Sequence, residues 1–439
     1  MWATLLILGS IIVVVTAVEP RFGVLLIVLA VPFGSVRQVN LGVVNVGATE
    51  ALVGMVLAAW LMRMVARRTV RVSCPPLALP LAIFLGFLCL SSLGTTSLQY
   101  SLKEIVKWVE VLALYVFVAN EMDTHWSKAL VFVILSTGAL AALHGIYQFL
   151  LQVGPEEFVL FGRFLRAYGT FEQPNPYAGY LGLTFPLAVG LVVAAMVTIG
   201  NRARGWWLAW AAGTGTLMLT AIVMSWSRGA WLGVAVAAVA MFAAVVARSS
   251  RVVLLGALFA FIVIYGLSAG GLSLAPASVV QRFADFLPYL GVMDVRGVEV
   301  TDANFAVLER MAHWQSALEM WKDHLWLGVG IGNYEPVYAQ YALPLWALPL
   351  GHAHNYYLNV AAEAGFLGLA AYLFLWGAAL LVSWQATRRA TGWHWGVALG
   401  VLGVLVHLSV HNFFDNLYVH GIYLHVAILL GIGTADWKD

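Results

Sequence analysis

Apolar runs separated by short polar breaks recur along almost the whole chain, at 3–18, 22–36, 47–65, 76–94, 104–121, 129–151, 177–199, 206–224, 229–247, 252–268, 355–384, 395–411 and 417–434. A helix that crosses a bilayer needs about 20 predominantly apolar residues. Runs of this length without strict alternation call for lipid rather than water as their surroundings. The pattern predicts an all-α polytopic membrane protein of about 12 transmembrane helices, or 13 if both N-terminal runs cross. Only 269–353 is long without such a run, and within it Glu309–Trp326 has helical character. A stretch of that length between spans is more often a lid or small domain than a linker. Three regions follow: N-terminal transmembrane helices over 1–268 with an outward loop near 152–176, a large loop region over 269–353, and C-terminal transmembrane helices over 354–439.

Composition points the same way. Hydrophobic residues make up 62% of the 439, and charged residues only 10%, against about 25% in soluble domains. A net charge of +2, with its basic residues in short loops, gives no footing for nucleic acid. Two cysteines in apolar settings, Cys74 and Cys89, make neither a disulfide framework nor a metal knuckle. Met1–Val18 lacks a basic leader and a small-residue cleavage pattern, so it reads as the first span.

Basic residues in short loops set orientation. Arg63, Arg67, Arg68 and Arg71, then Arg202 and Arg204, Arg248 and Arg251, and Arg388 and Arg389 all fall on one side when spans are counted between them. That side is the cytoplasmic one. The same count sends 152–176, the turn Ser225–Arg228, the loop 269–353 and His411–Asn416 outward.

The outward segments hold arginines that this bias disfavours: Arg163, Arg166, Arg228 and Arg310. Arg228 sits in Ser225-Trp226-Ser227-Arg228-Gly229, between two apolar runs with almost no loop to solvate it. It is either a snorkelling side chain at a helix end or a clamp on an anion, for which the planar guanidinium fork suits phosphate. Arg163 and Arg166, three residues apart, would share a face if their segment were helical, and they precede the Pro- and Asn-rich stretch Gly169–Pro176, which contains Asn175. Gly328-Val329-Gly330-Ile331-Gly332 has the look of a phosphate loop, yet no Lys or Ser/Thr follows, so tight backbone turning is the better account.

The sharpest cluster is Gly351-His352-Ala353-His354-Asn355 at the entry to a span, with Asn355, Asn359 and Glu363 at four-residue spacing as one polar stripe. Polar groups inside a membrane face a cavity or a partner. Histidine as a residue type titrates near neutrality, which suits His354 to the role of general base on a hydroxyl. A metal reading of His352 and His354 finds no further carboxylate or thiol at convincing spacing. His407, His411, Asn412, Asp415, Asn416, His420 and His425 form a second polar group that either lines the same cavity or, the favoured reading, ties helices together.

These residues resemble the O-antigen ligase and polymerase superfamily. Its hallmark of His, a small amide or hydroxyl residue, nine residues and Gly-x-x-Gly is met by His354, Asn355, Gly365 and Gly368. Gly169-Thr170-Phe171 with Pro174-Asn175, the step Ser227-Arg228-Gly229, and Arg310, Trp314, Gly328-Val329-Gly330 and Asn333-Tyr334 resemble it in the same order along the chain. The resemblance implies a GT-C-like membrane enzyme of the bacterial inner membrane with its active site toward the periplasm. It implies metal-independent, cofactor-free, inverting transfer of glycan from undecaprenyl diphosphate to an acceptor hydroxyl. His354 then resembles the essential base. Arg228 and Arg310, with Arg166 and Arg163 as weaker matches, resemble the donor diphosphate-binding arginines, while Asn355, Asn175 and Glu363 support them.

Ligation of O-antigen to lipid A-core is the leading expectation, with membrane lipid around the chain and no nucleic acid partner. A polymerase of the same superfamily is the alternative, and a protein-glycosylating relative ranks third. A transporter or flippase would explain the spans, but no paired broken helices in two halves are visible.

Overall fold

The computed structural model describes residues 2–33, 38–40, 45–68, 72–197, 201–248, 280, 282, 287–289, 294–301 and 304–435. Helices dominate: α1 Trp2–Val18, α2 Pro20–Phe33, α3 Ala48–Ala66, α4 Ala78–Ser91, α5 Leu98–Glu121, α6 Thr124–Leu151, α7 Pro174–Val197, α8 Asn201–Met224, α9 Arg228–Val246, α10 Phe305–Asp323, α11 Tyr334–Tyr338, α12 Tyr356–Arg389, α13 Gly392–His411 and α14 Ile422–Thr434. Two small hairpins, at Gln38–Asn40 with Asn45–Gly47 and at Val159–Leu160 with Phe164–Leu165, are the strands among the described residues. Every apolar run of the sequence coincides with one of these helices except 252–268, which lies outside the described residues. Among the described residues, seven helices, α3, α6, α7, α8, α9, α12 and α13, are long and apolar enough to cross a membrane; α1, α2, α4 and α14 are apolar but shorter. Leucines, valines and phenylalanines stay exposed on their outer faces, as in Leu140, Val239 and Phe374, which suits a lipid surround.

The centre of the bundle is α7 against α13. Glycines set the separation: a Cβ on Gly190 would stand 2.2 Å from the Gly396 carbonyl oxygen, and one on Gly400 2.6 Å from the Leu187 Cα. The pair Gly396 and Gly400 is a small-xxx-small stripe, which lets two backbones approach where lipid offers no hydrophobic drive to associate.

The two ends of the bundle differ in chemistry. At one, Glu19 pairs with Arg21 and Arg63, Arg21 reaches Asp123, and Lys128 lies over the Trp393 ring. There too Arg248 donates to the Thr387 and Ala390 carbonyls, and Arg388 to that of Ala247. The basic residues at the α3, α9 and α12 termini therefore share one end. The other end carries the loops. Ser97 N–H donates to Asn333 at 2.7 Å, Tyr356 N–H to the Asn412 carbonyl at 2.8 Å, and Ala167 N–H to the Met224 carbonyl at 3.0 Å.

The described part of the long loop packs α10 and α11 over the start of α12, around Ala317, Met320, Tyr334, Tyr338 and Ala362. Its attachment uses main chain. α12 is broken at Gly365, whose φ of 66° and ψ of −165° lie in a region essentially restricted to glycine. Residues 325–330 run alongside the break. Phe366 and Leu367 N–H donate to the Leu325 and Trp326 carbonyls, and Val329 and Gly330 N–H donate to those of Ala362 and Glu363. Irregular backbone at the edge of a membrane is tolerated when protein satisfies its polar groups. The close approach leaves no room at either glycine: a Cβ on Gly365 would sit 2.3 Å from Trp326, and one on Gly328 2.3 Å from Glu363.

Candidate functional site

His354 stands at the loop-bearing end, one residue before the cap of α12. Asn355 caps that helix by accepting the Leu358 N–H at 3.1 Å, and Asn359 accepts the Ala353 N–H at 3.0 Å. The polar stripe thus fastens the approach to the helix, and it holds His354 at a left-handed φ of 51°. Strain at a non-glycine residue persists only when its surroundings fix it. The Trp314 indole N–H donates to the His354 carbonyl at 3.3 Å, and the Gly351–Asn355 segment is therefore tied to α10 as well.

Three imidazoles and a carboxylate meet there. His354 Nδ1 lies 3.6 Å and His352 Nε2 3.8 Å from the same oxygen of Asp415, which comes from the link between α13 and α14. His313 of α10 meets the His354 ring edge-on with centroids 5.5 Å apart, and its Nδ1 is 2.9 Å from the Tyr334 hydroxyl. Burial, then the neighbouring His354, pushes His352 down to about 3 and His313 to about 4, so both are neutral at physiological pH. Burial would push the Asp415 carboxyl up, but His354, His352 and Arg310 outweigh it and hold it well below the usual carboxylate range. Both ring nitrogens of His354 are buried without a hydrogen-bond partner among the described residues.

Guanidinium groups gather beside this cluster. Arg166 donates to the Ser225 carbonyl at 2.8 Å and to the Asn175 side-chain oxygen at 2.9 Å. Burial, then Arg282, Arg310 and Arg228, push its proton affinity down. A guanidinium stays protonated in proteins, so such crowding reads as a place that favours an anion. Arg310 also acts on Asp415, His352 and His411. Its Nε is buried without a hydrogen-bond partner among the described residues. Arg228 opens α9, where a helix N-terminus adds its own attraction for anions. It donates to the Arg282 carbonyl at 3.4 Å, and Arg282 to that of Trp226 at 3.4 Å.

Several expectations change. Arg163 and Arg166 do not share a helical face, because their segment is a hairpin with Gly162 at a left-handed φ of 62°. Arg163 is exposed and stacks on the Phe164 ring at 5.1 Å, while Arg166 turns inward. Glu363 does not line the cluster: its carboxylate accepts the Tyr334 N–H at 3.0 Å. The second polar group divides. His407 is wedged at Gly182 and Gly233, and His425 meets Thr184, as links between helices, whereas Asp415 belongs with His354. Asp415 stood in the sequence only as one of the second polar group, with no pairing to His354 marked, and Arg282 was missed, because nothing in the local pattern marks them; their neighbours are 61 and 54 residues away.

Asp415 also supplies the carboxylate that the linear spacing of His352 and His354 lacked, and the three residues place ligand-type atoms within 4.8 Å of one another. The proton count argues against a metal. His352 Nδ1 accepts the His354 main-chain N–H at 3.1 Å, which places the single proton of the neutral ring on Nε2, the atom facing Asp415. A protonated nitrogen has no lone pair for a cation, and the surrounding guanidiniums repel one. A separate open hollow of about 470 Å³ lined by Arg296, Glu319, Asp323 and Tyr341 holds none of these groups.

Residues 213–373 match the Wzy_C family model, described as O-Antigen ligase. The matched stretch contains Arg228, Arg310, His354, Gly365 and Gly368; Arg166, Asn175 and Asp415 lie outside it. No curated protein matches the chain.

Proposed function

We propose that this chain, similar to the O-antigen ligase family across residues 213–373, transfers O-antigen glycan from undecaprenyl diphosphate to a hydroxyl of lipid A-core on the periplasmic side of the inner membrane. The observation that carries the reading is the buried imidazole of His354, whose Nδ1 lies 3.6 Å from Asp415, beside a group of arginines that act on the same carboxylate. With Nδ1–H directed at Asp415, His354 Nε2 keeps a lone pair for the proton of the acceptor hydroxyl. The acceptor oxygen then bonds to the anomeric carbon as the bond from that carbon to the diphosphate oxygen breaks, and the configuration inverts. Charge grows on the departing diphosphate, where Arg166, Arg228 and Arg310 are placed to hold it; such preorganised stabilisation is commonly a large catalytic contribution. Asp415 stabilises the imidazolium formed by the proton transfer. Asn175 orients Arg166, and Asn355 orients the segment that bears His354.

The family model covers ligases and polymerases alike, so the acceptor decides between them. The test is turnover of lipid-linked glycan by purified protein in detergent, with no gradient across any membrane. Transfer to added lipid A-core is the expected result. Elongation of glycan on its carrier would assign a polymerase. Absence of both, with glycan movement across vesicles instead, would replace the enzyme by a transporter.

A further inference from the structure

We propose that His352 is a positioning residue that sets how readily His354 takes a proton, acting through the carboxylate that the two share. The inference rests on the reading of His354 as the base.

The hydrogen-bond count leads to it. The His354 main-chain N–H donates to His352 Nδ1 at 3.1 Å, so His352 carries its proton on Nε2. That N–H faces Asp415 Oδ1 at 3.8 Å, and His354 Nδ1 faces the same oxygen at 3.6 Å. Two ring nitrogens face one carboxylate oxygen at 3.6–3.8 Å, and the electrostatic hold of that oxygen on one is weakened by the other. Asp415 shared with His352 stabilises an imidazolium at His354 less than Asp415 alone would. His352 therefore lowers the basicity of its neighbour and moves the working range of the base toward lower pH. The same side chain braces the left-handed backbone of His354 by accepting its N–H. Among the described residues, His313 and Arg310 from α10 also face the pair, and His411 from α13 and Arg166 act on the shared Asp415. His352 itself is neutral through the range in which His354 acts, so it acts on Asp415 through its Nε2–H dipole and not by carrying charge. No element of this needs His352 to touch substrate.

The test is the acid limb of kcat for lipid-linked glycan transfer. His352→Phe keeps an aromatic ring and removes both nitrogens, whereas His352→Gln restores an N–H toward Asp415. The expected result is a rise of about 0.5–1 pH unit in the acid-limb midpoint for the Phe variant, a several-fold loss of kcat near its foot, and donor KM within about twofold. The Gln variant should return the midpoint toward that of the unsubstituted protein. A fall in kcat with an unmoved limb, or a Gln variant that behaves as Phe does, would overturn the proposal and leave His352 a packing residue. Nitrogen-15 NMR of the histidines in purified protein reads proton placement without turnover. A neutral His352 with its proton on Nε2 down to about pH 5 supports the proposal, and an Nδ1–H or cationic ring overturns it. Failure of the unsubstituted protein to transfer glycan would instead remove the assignment of His354 as base.

Discussion

The carboxylate of Glu363 accepts the Tyr334 main-chain N–H at 3.0 Å, closing the glycine-rich turn onto α12. Gly328, Gly330 and Gly332 all have positive φ, at 69°, 100° and 75°, and a turn of that kind presents its N–H groups as an anion-binding concavity. The likeness of this stretch to a phosphate loop thus has a physical basis, but what its N–H groups meet is a side-chain carboxyl of the protein. Tyr334 in turn holds His313 against His354. Glu363→Ala should cost about 1–3 kcal/mol, since a buried donor loses its acceptor, and should show as a lower melting temperature. Inorganic phosphate should not restore it.

His354→Ala should reduce kcat by about 10²–10⁴-fold, the range for loss of a general base, with an unchanged thermal unfolding profile. Turnover near that of the unsubstituted protein would sink the base assignment.

Arg228→Lys keeps the charge but loses the planar fork, and should lower kcat/KM for the lipid-linked donor by about tenfold or more. Near-normal kinetics would instead favour a side chain that only snorkels at the start of α9.

Asn175→Ala removes the side-chain oxygen 2.9 Å from the Arg166 guanidinium. One lost hydrogen bond to a charged group is worth about 1.5–3 kcal/mol, so donor kcat/KM should fall by roughly ten- to a hundredfold. Arg163→Ala, on an exposed side chain, should change it by less than about twofold.

Acid should destabilise the loop-bearing end. His352 and His313 are pushed down to about 3 and 4 in the folded state, whereas an unfolded histidine takes its proton near about 6.5. Stability from these two groups is present above the unfolded value and is lost as pH falls from there toward the folded values, at about 1.4 kcal/mol per pH unit for each. Thermal unfolding of purified protein between about pH 7 and pH 5 should show a falling midpoint, reduced in His313→Phe.

The helices were legible because a bilayer imposes length and apolarity on each span, as runs such as 177–199 and 395–411 make plain. His354, Asn355 and Gly365 were legible because they lie within a dozen residues of one another and carry a recognisable order. Asp415 was not, since its role depends on the α13–α14 link folding back to the start of α12, where the Tyr356 N–H meets the Asn412 carbonyl. Arg163 and Arg166 misled for a related reason: their three-residue spacing suggested a shared helical face, and a glycine-centred hairpin turned one outward and one inward. The stripe Asn355, Asn359, Glu363 was read as polar residues that face a cavity or a partner; the partners are main-chain amides, of Leu358 within α12 for Asn355 and of the long loop for Asn359 and Glu363.

Gly365→Ala should be far more damaging than Gly377→Ala in the same helix. The first introduces a Cβ 2.3 Å from the Trp326 main chain at a conformation only glycine adopts readily; the second meets nothing within 4 Å. Folded yield in detergent is the measurement, with strong loss expected for the first and little change for the second.

The splice between 325–330 and 362–367 is written almost wholly in peptide groups. Every residue carries a carbonyl and every residue but proline an N–H, so the amino acids along this seam are free to vary provided two positions lack a Cβ and the donating positions keep an N–H. Drift there would erase likeness between two such chains while leaving the joint that carries the imidazole mechanically intact, and a pair of glycines about 37 residues apart, Gly328 and Gly365, would be the trace that survives.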